Sequence, residues 1–275
     1  MRATRWQHFR RRLGGRLATY GSVFALAVGL AVAVANHDLL GGMTAALAVL
    51  LALMLVVWRE ASSQAEAEFF TALAPTLGLR YMVTGSLPPI TPLMAAGGKR
   101  SYEHYLEGPL FGALGGPRCG LAHYTFSTVD DEGREGQRCP FTVCGAELPE
   151  ALPLFHGVYL RPRGGVAHDW LDRAPRPHEV ELESTDFNAR YELRAARDQD
   201  PLVLHELFSP SFVVWLAEHP LRPGFECKGG DLVAYLPGHE LDGDHITLLH
   251  DFARAIARRV EKVVESRAAA AIPAG

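Results

Sequence analysis

Lysine is nearly missing from this chain: Lys99, Lys228 and Lys262 are the only three among 27 basic residues, and the rest are arginine. Alanine, glycine and proline are abundant alongside, so a genome rich in G and C accounts for the bias without any functional reading. Cysteine is scarce too, with Cys119, Cys139, Cys144 and Cys227 in 275 residues. No two of them have the C-x-x-C spacing of a zinc site or a thioredoxin-like motif. Other landmarks are missing as well. No serine sits in a G-x-S-x-G elbow, no glycine-rich stretch ends in G-K-[ST], and no histidine pair has H-E-x-x-H spacing. Each absence removes a ready-made chemistry: serine hydrolysis, phosphate cradling and zinc proteolysis in turn.

Charge is the other shortage, and it is local. Residues 17–58 contain a single charged side chain, Asp38, whereas the sixteen residues before them hold Arg2, Arg5, Arg10, Arg11, Arg12 and Arg16. Within the uncharged stretch, residues 17–35 and 39–57 are two runs of nineteen apolar or small residues, each long enough to cross about 30 Å of hydrocarbon as a helix. The linker Asn36-His37-Asp38 leaves room only for a tight reversal, so the pattern predicts a transmembrane hairpin. Six arginines ahead of the first span predict a cytoplasmic N-terminus and, after two crossings, a cytoplasmic C-terminal domain. Gly21, Ser22, Gly29, Gly41, Gly42, Ala45 and Ala46 would let the two helices approach closely. A cleaved signal peptide is the competing reading, because Ala33-Val34-Ala35 matches an A-x-A cleavage site.

Beyond residue 58 the chain carries 21 basic and 30 acidic residues, a formal charge of −9. An acidic domain repels phosphate backbones, which argues against nucleic acid as a partner. Residues 59–79 have helical composition with Ala65, Phe69, Phe70, Leu73 and Leu77 at three- and four-residue steps, continuing the second span towards Pro75. Residues 83–100, with Pro88, Pro89, Pro92 and Gly97-Gly98, read as a loop or mobile linker. Strands follow in a core of residues 101–266. Ala122, Tyr124 and Phe126 alternate with His123, Thr125 and Ser127, and after the turn at residues 130–133 Phe141 and Val143 share a face, which is a hairpin. Further strands are expected near residues 154–160, at 179–184 and around Tyr191 and Leu193. Asp200-Pro201 and Ser209-Pro210 are helix starts. Lys228-Gly229-Gly230-Asp231 is a hairpin turn between Phe225–Cys227 and residues 232–236. A last helix over residues 244–266 carries Ile246, Leu249, Phe252, Ile256, Val260 and Val263 as its apolar stripe, and residues 267–275 read as a tail. The order predicts an α+β domain with helices packed on an antiparallel or mixed sheet.

Residues 180–219 hold the pattern E-S-x-x-F-x-x-x-[FY] in Glu183, Ser184, Phe187 and Tyr191, then Leu207, Pro210 and Phe212 at a second helix start. In this the chain resembles an uncharacterised bacterial family of N-terminally membrane-anchored proteins. The resemblance implies a bacterial inner-membrane protein and no activity.

Each side chain capable of chemistry also has a plain structural reading. His239, His245 and His250 lie near Glu240, Asp242 and Asp244, but His245 and His250 are five apart and point apart on a helix, and the aspartates suit capping. Cys119 and Cys144 could meet diagonally across the hairpin, yet buried packing is the expected role for all four cysteines. Ser184 with Asp186 lacks a nucleophile elbow, and Gly112–Gly120 precedes a strand as a turn would. Arg161 and Arg163 could meet lipid headgroups or simply be solvated. No catalytic, metal or cofactor residue is assigned. The expected function is a non-enzymatic interaction or assembly domain whose partners are the bilayer and an unidentified protein; the alternative is a membrane-tethered enzyme with a His and carboxylate site assembled from distant segments.

Overall fold

A computed structural model describes residues 39–129, 132–164 and 177–270. The first expected span, the six N-terminal arginines, the A-x-A match, the Asn36–Asp38 linker, residues 130 and 131 of the hairpin turn and the end of the tail lie outside them. The chain divides into two compact units between Ala72 and Leu73.

The first unit contains the helix α1, Leu39–Leu73, which runs through the second expected span and on into the charged stretch without a break. Among the described residues it is the one helix long and apolar enough to cross a membrane. Its first half leaves Leu40, Met43, Leu47, Leu51, Met54, Leu55 and Val56 at least half exposed. Exposure of such surface to water costs roughly 25 cal/mol per Å². Beyond Trp58 the composition turns to Arg59, Glu60, Gln64, Glu66 and Glu68.

The second unit opens on a 3-10 turn, Ala74–Leu77, at Pro75, where the missing amide ends helical bonding. Among the described residues nine strands follow: β1 (Arg80–Met82), β2 (Arg100–Pro109), β3 (Arg118–Val129), β4 (Glu135–Glu147), β5 (Val158–Pro162), β6 (His178–Val180), β7 (Tyr191–Ala195), β8 (Gly224–Lys228) and β9 (Asp231–Pro237). Five helices accompany them among the described residues: α2 (Pro92–Ala95), α3 (Thr185–Arg190), α4 (Pro201–Leu207), α5 (Pro210–Glu218) and α6 (Gly243–Ala270). The strands form one sheet in the order β1-β2-β3-β4-β9-β8-β5-β7-β6 with every pairing antiparallel, so the domain is α+β. The last hairpin, β8 and β9, stands between β4 and β5.

Period-two alternation divides the central strands between two cores, because both faces are covered. One face meets α6, whose stripe Ile246, Leu249, Phe252, Ile256, Val260 and Val263 is buried throughout. The helix starts where expected: Asp242 accepts a hydrogen bond from Asp244 N through its side chain and from Ile246 N through its carbonyl. It extends to Ala270, past the expected end, since Arg267 on the final turn meets Asp200 and Glu206.

The other face carries Ala122, Tyr124, Phe126, Phe141, Val143, Tyr159, Val233 and Tyr235, packed with Leu87, Leu93 and Met94. Residues 83–97, irregular as the prolines dictate, therefore belong to the core as a strap laid across the sheet. Tyr102, Tyr105 and Tyr124 donate hydroxyl hydrogen bonds to the carbonyls of Leu87, Ser86 and Leu93, and Arg100 donates to those of Ala95 and Ala96. The buried Glu226 on β8 accepts from Leu93 N at 2.8 Å. Two glycines make the close approach possible. Gly120 and Gly145 are cross-strand partners, and a Cβ on Gly145 would stand 2.8 Å from Leu87 Cδ2. Gly145→Ala is therefore expected to lift the strap and cost about 1–3 kcal/mol of unfolding free energy, read as a lower urea midpoint. A midpoint equal to wild type would mean that the strap yields freely.

Candidate functional site: a cavity under the strap

The strap leaves a gap at the end of the sheet where β3, β4 and β9 meet. This cavity, of about 360 Å³, is walled by Leu87, Pro88, Pro89, Tyr105, Leu232 and Val233 and floored by Gly120 and Gly145. Its polar groups come from strand ends. Asp231 opens β9 directly after Gly229 and Gly230, whose φ of 62° and 80° suit the two central positions of a tight hairpin. Glu147 closes β4 and is Asp231's cross-strand partner. Side chains opposed in this way have Cβ atoms about 5 Å apart on one face.

The two carboxylates differ in environment. Asp231 is only 8% exposed, and burial, reinforced by the charge of Glu147, pushes its carboxyl up to about 6. Glu147 is half exposed. Arg118, on β3, is the one basic side chain lining the space; it holds Glu107 at 2.8 Å and reaches Glu147 only at 3.9 Å. The volume is that of a small-molecule site, with apolar side chains along the walls and charged groups at the strand ends.

No family model matches this chain. No curated protein matches it either. A solved structure that is similar is the crystal structure of the mycobacterial trehalose monomycolate transport factor A, TtfA, at a TM-score of 0.41 and 11% identity, covering 72% of this chain and 94% of that one. A likeness so slight carries no argument, and the site stands on its own geometry.

Of the residues singled out from sequence, Cys119 and Gly120 line this cavity, and the others lie elsewhere. His239 does not join His245 and His250; its Nε2 lies 2.9 Å from Thr125 Oγ1, and its ring stacks on His123 at 4.4 Å. His123 meets His104 edge-on, and His104 reaches Tyr81, giving a row of imidazoles across β3 and β2 beside the start of α6. His245 Nδ1 pairs with Glu240 at 3.0 Å, which raises the imidazole's pKa. Burial works to raise the Glu240 carboxyl, yet His245 and the amides of Asp242 and Leu241 hold it below its ordinary value. His250 turns inward, 2% exposed, towards Cys119.

Cys119 and Cys144 do meet diagonally, with sulfurs 3.6 Å apart, and all four cysteines are buried free thiols. The hydrogen bond with Cys144 lowers the Cys119 thiol to about 6 despite burial, with help from His250, while Cys144 is pushed well up. Ser184 caps α3 by accepting from Phe187 N, and Gly112–Leu114 is a 3-10 turn. Arg163 is an exposed turn residue, as expected, whereas Arg161 is not. Arg161 lies on β5 and donates to the buried Glu192, which Arg194 also holds; Arg163 donates to Glu179 and to the carbonyls of Asn188 and Tyr191.

Asp231 and Glu147 were not among the candidates. In sequence Asp231 reads as the last residue of a glycine turn, and the one signal that marks it, a carboxylate leading a fully apolar strand, is weak.

Proposed function

We propose that this chain is a membrane-anchored interaction domain, tethered at the inner face of a bacterial membrane by two N-terminal spans, with both termini cytoplasmic. The observation that carries the anchoring is the bare apolar half of α1, which water does not tolerate and lipid does. The arginine cluster ahead of the first span supports the orientation, and the likeness in residues 180–219 to anchored bacterial proteins supports the setting. Phe187, Tyr191 and Leu207 of that pattern are buried and Ser184 is a cap, so it specifies a fold. The interaction role draws support from the occupation of the chemically capable side chains. The histidines next to carboxylates hydrogen-bond within the protein and stay clear of the cavity, whose lining offers a receptor's mixture of apolar wall and fixed charge.

Membranes from cells expressing the full chain at native level test the proposal. The protein is expected to stay with the membrane through alkaline carbonate washing, to resist protease added outside sealed cells, and to bring a partner with it when solubilised and captured. Recovery at full length in the soluble fraction without detergent would overturn the anchor, external trimming would overturn the orientation, and capture of the bare monomer alone would overturn the interaction role.

A further inference from the structure

We propose that the cavity under the strap binds a small organic cation, an ammonium group on an apolar body, with Asp231 as its counter-ion and Glu147 beside it. The starting point is an incomplete arrangement. A carboxylate as buried as Asp231 is ordinarily hydrogen-bonded or paired, since an isolated buried charge is expensive. Among the described residues the Asp231 side chain has no hydrogen-bond or ion-pair partner; directly across from it stand Glu147 on β4, which lines the cavity with it, and Lys228 on β8, which does not.

Ligand chemistry follows by elimination. An anion would face two carboxylates in a space where Arg118 is already engaged by Glu107. A neutral ligand would leave Asp231 unpaired. A bare metal ion fits poorly, because a cavity of about 360 Å³ with apolar walls is far larger than an ion, and two carboxylates do not complete the six or more oxygen ligands of a hard cation. An organic ammonium meets both requirements: its N–H groups complete the hydrogen bonds of Asp231 and Glu147, and its carbon body covers Leu87, Tyr105 and Val233. The glycine floor keeps the space open, since a side chain at position 120 or 145 would project into the strap.

The inference is independent of the anchoring proposal, and either can fail alone. The test is calorimetric titration of the full chain in a non-ionic detergent with n-hexylammonium, using 1-hexanol and hexanoate as probes matched in length, and detergent without protein as the blank. Saturable binding of hexylammonium is expected, at least tenfold tighter than hexanol, with hexanoate not bound. Asp231→Asn should weaken hexylammonium at least tenfold while leaving hexanol unchanged, and Glu147→Gln should weaken it several-fold. Asp251→Asn, an exposed aspartate on α6 paired with Arg254, should leave it unchanged and so separates a built site from general attraction to an acidic surface. Equal binding of hexanol and hexylammonium overturns the proposal. So does full affinity in Asp231→Asn or, should that variant not fold, in Glu147→Gln.

Discussion

Glu226→Ala should cost the domain about 2–4 kcal/mol and release the strap, the larger part coming from one orphaned amide. The Glu226 carboxylate is 1% exposed and accepts from Leu93 N, at the start of a four-residue helix too short to have secured that amide otherwise. Removing the acceptor leaves a buried N–H unsatisfied, about 1–3 kcal/mol, and the lost methylenes add a small void. Glu226→Gln keeps a carbonyl oxygen in the same place and should recover most of the loss, which separates the hydrogen bond from mere volume. Urea unfolding gives the energies. Amide hydrogen exchange over residues 86–97 gives the location and should quicken in the alanine variant well beyond any change in α6. Unaltered exchange in the strap would refute the assignment of Glu226 as its fastening.

Glu192→Ala is the second large expectation, at about 3 kcal/mol. Glu192 is 7% exposed and holds two arginines, Arg161 at 2.6 Å and Arg194 at 2.5 Å, each with about a fifth of its side chain exposed. Breaking a buried pair from one side strands the opposite charge, and here it strands two, moderated by their partial exposure to water. The pH dependence has a definite sign. Burial works to raise the Glu192 carboxyl, but the hydrogen bonds from Arg161 and Arg194 together bring it below its ordinary 4.5. The stabilisation is therefore complete above that value and fades as pH falls through the depressed folded-state value. Wild type and Glu192→Gln should differ most in urea midpoint near neutrality and converge in acid. A difference that persisted unchanged at acid pH would mean that packing, rather than the ion pairs, sustains the effect.

What could be read from sequence followed the regularity of its signals. The β3–β4 hairpin was legible because Ala122, Tyr124 and Phe126 alternate without interruption, and both described strands match the expected faces. The strand β2 was not. A bulge between Glu103 and Leu106, with His104 at φ 53°, puts Tyr102 and Tyr105 on one face although three positions separate them, and this breaks the alternation that marks a strand. The prolines of residues 83–100 announced irregular backbone correctly, but nothing local indicated that it would be tied down by a glutamate 133 positions away. The cavity was hidden for the same reason. Asp231 and Glu147 become neighbours only through the pairing of β9 with β4, whereas the histidines near α6, close in sequence, separate to Thr125, Glu240 and Cys119.

The position of β8 and β9 in the sheet has a consequence for biosynthesis. A ribosome delivers β1 to β4 as one meander and β5 to β7 as a second group, and neither can join the other until the final hairpin has been made, because it is the piece that lies between them. Until then β4 and β5 each offer an open row of backbone donors and acceptors to any stray strand, which is a recognised route to aggregation. By that time α1 has long since emerged, so the anchor proposed above would hold each nascent copy apart from its neighbours while it awaits its closing hairpin.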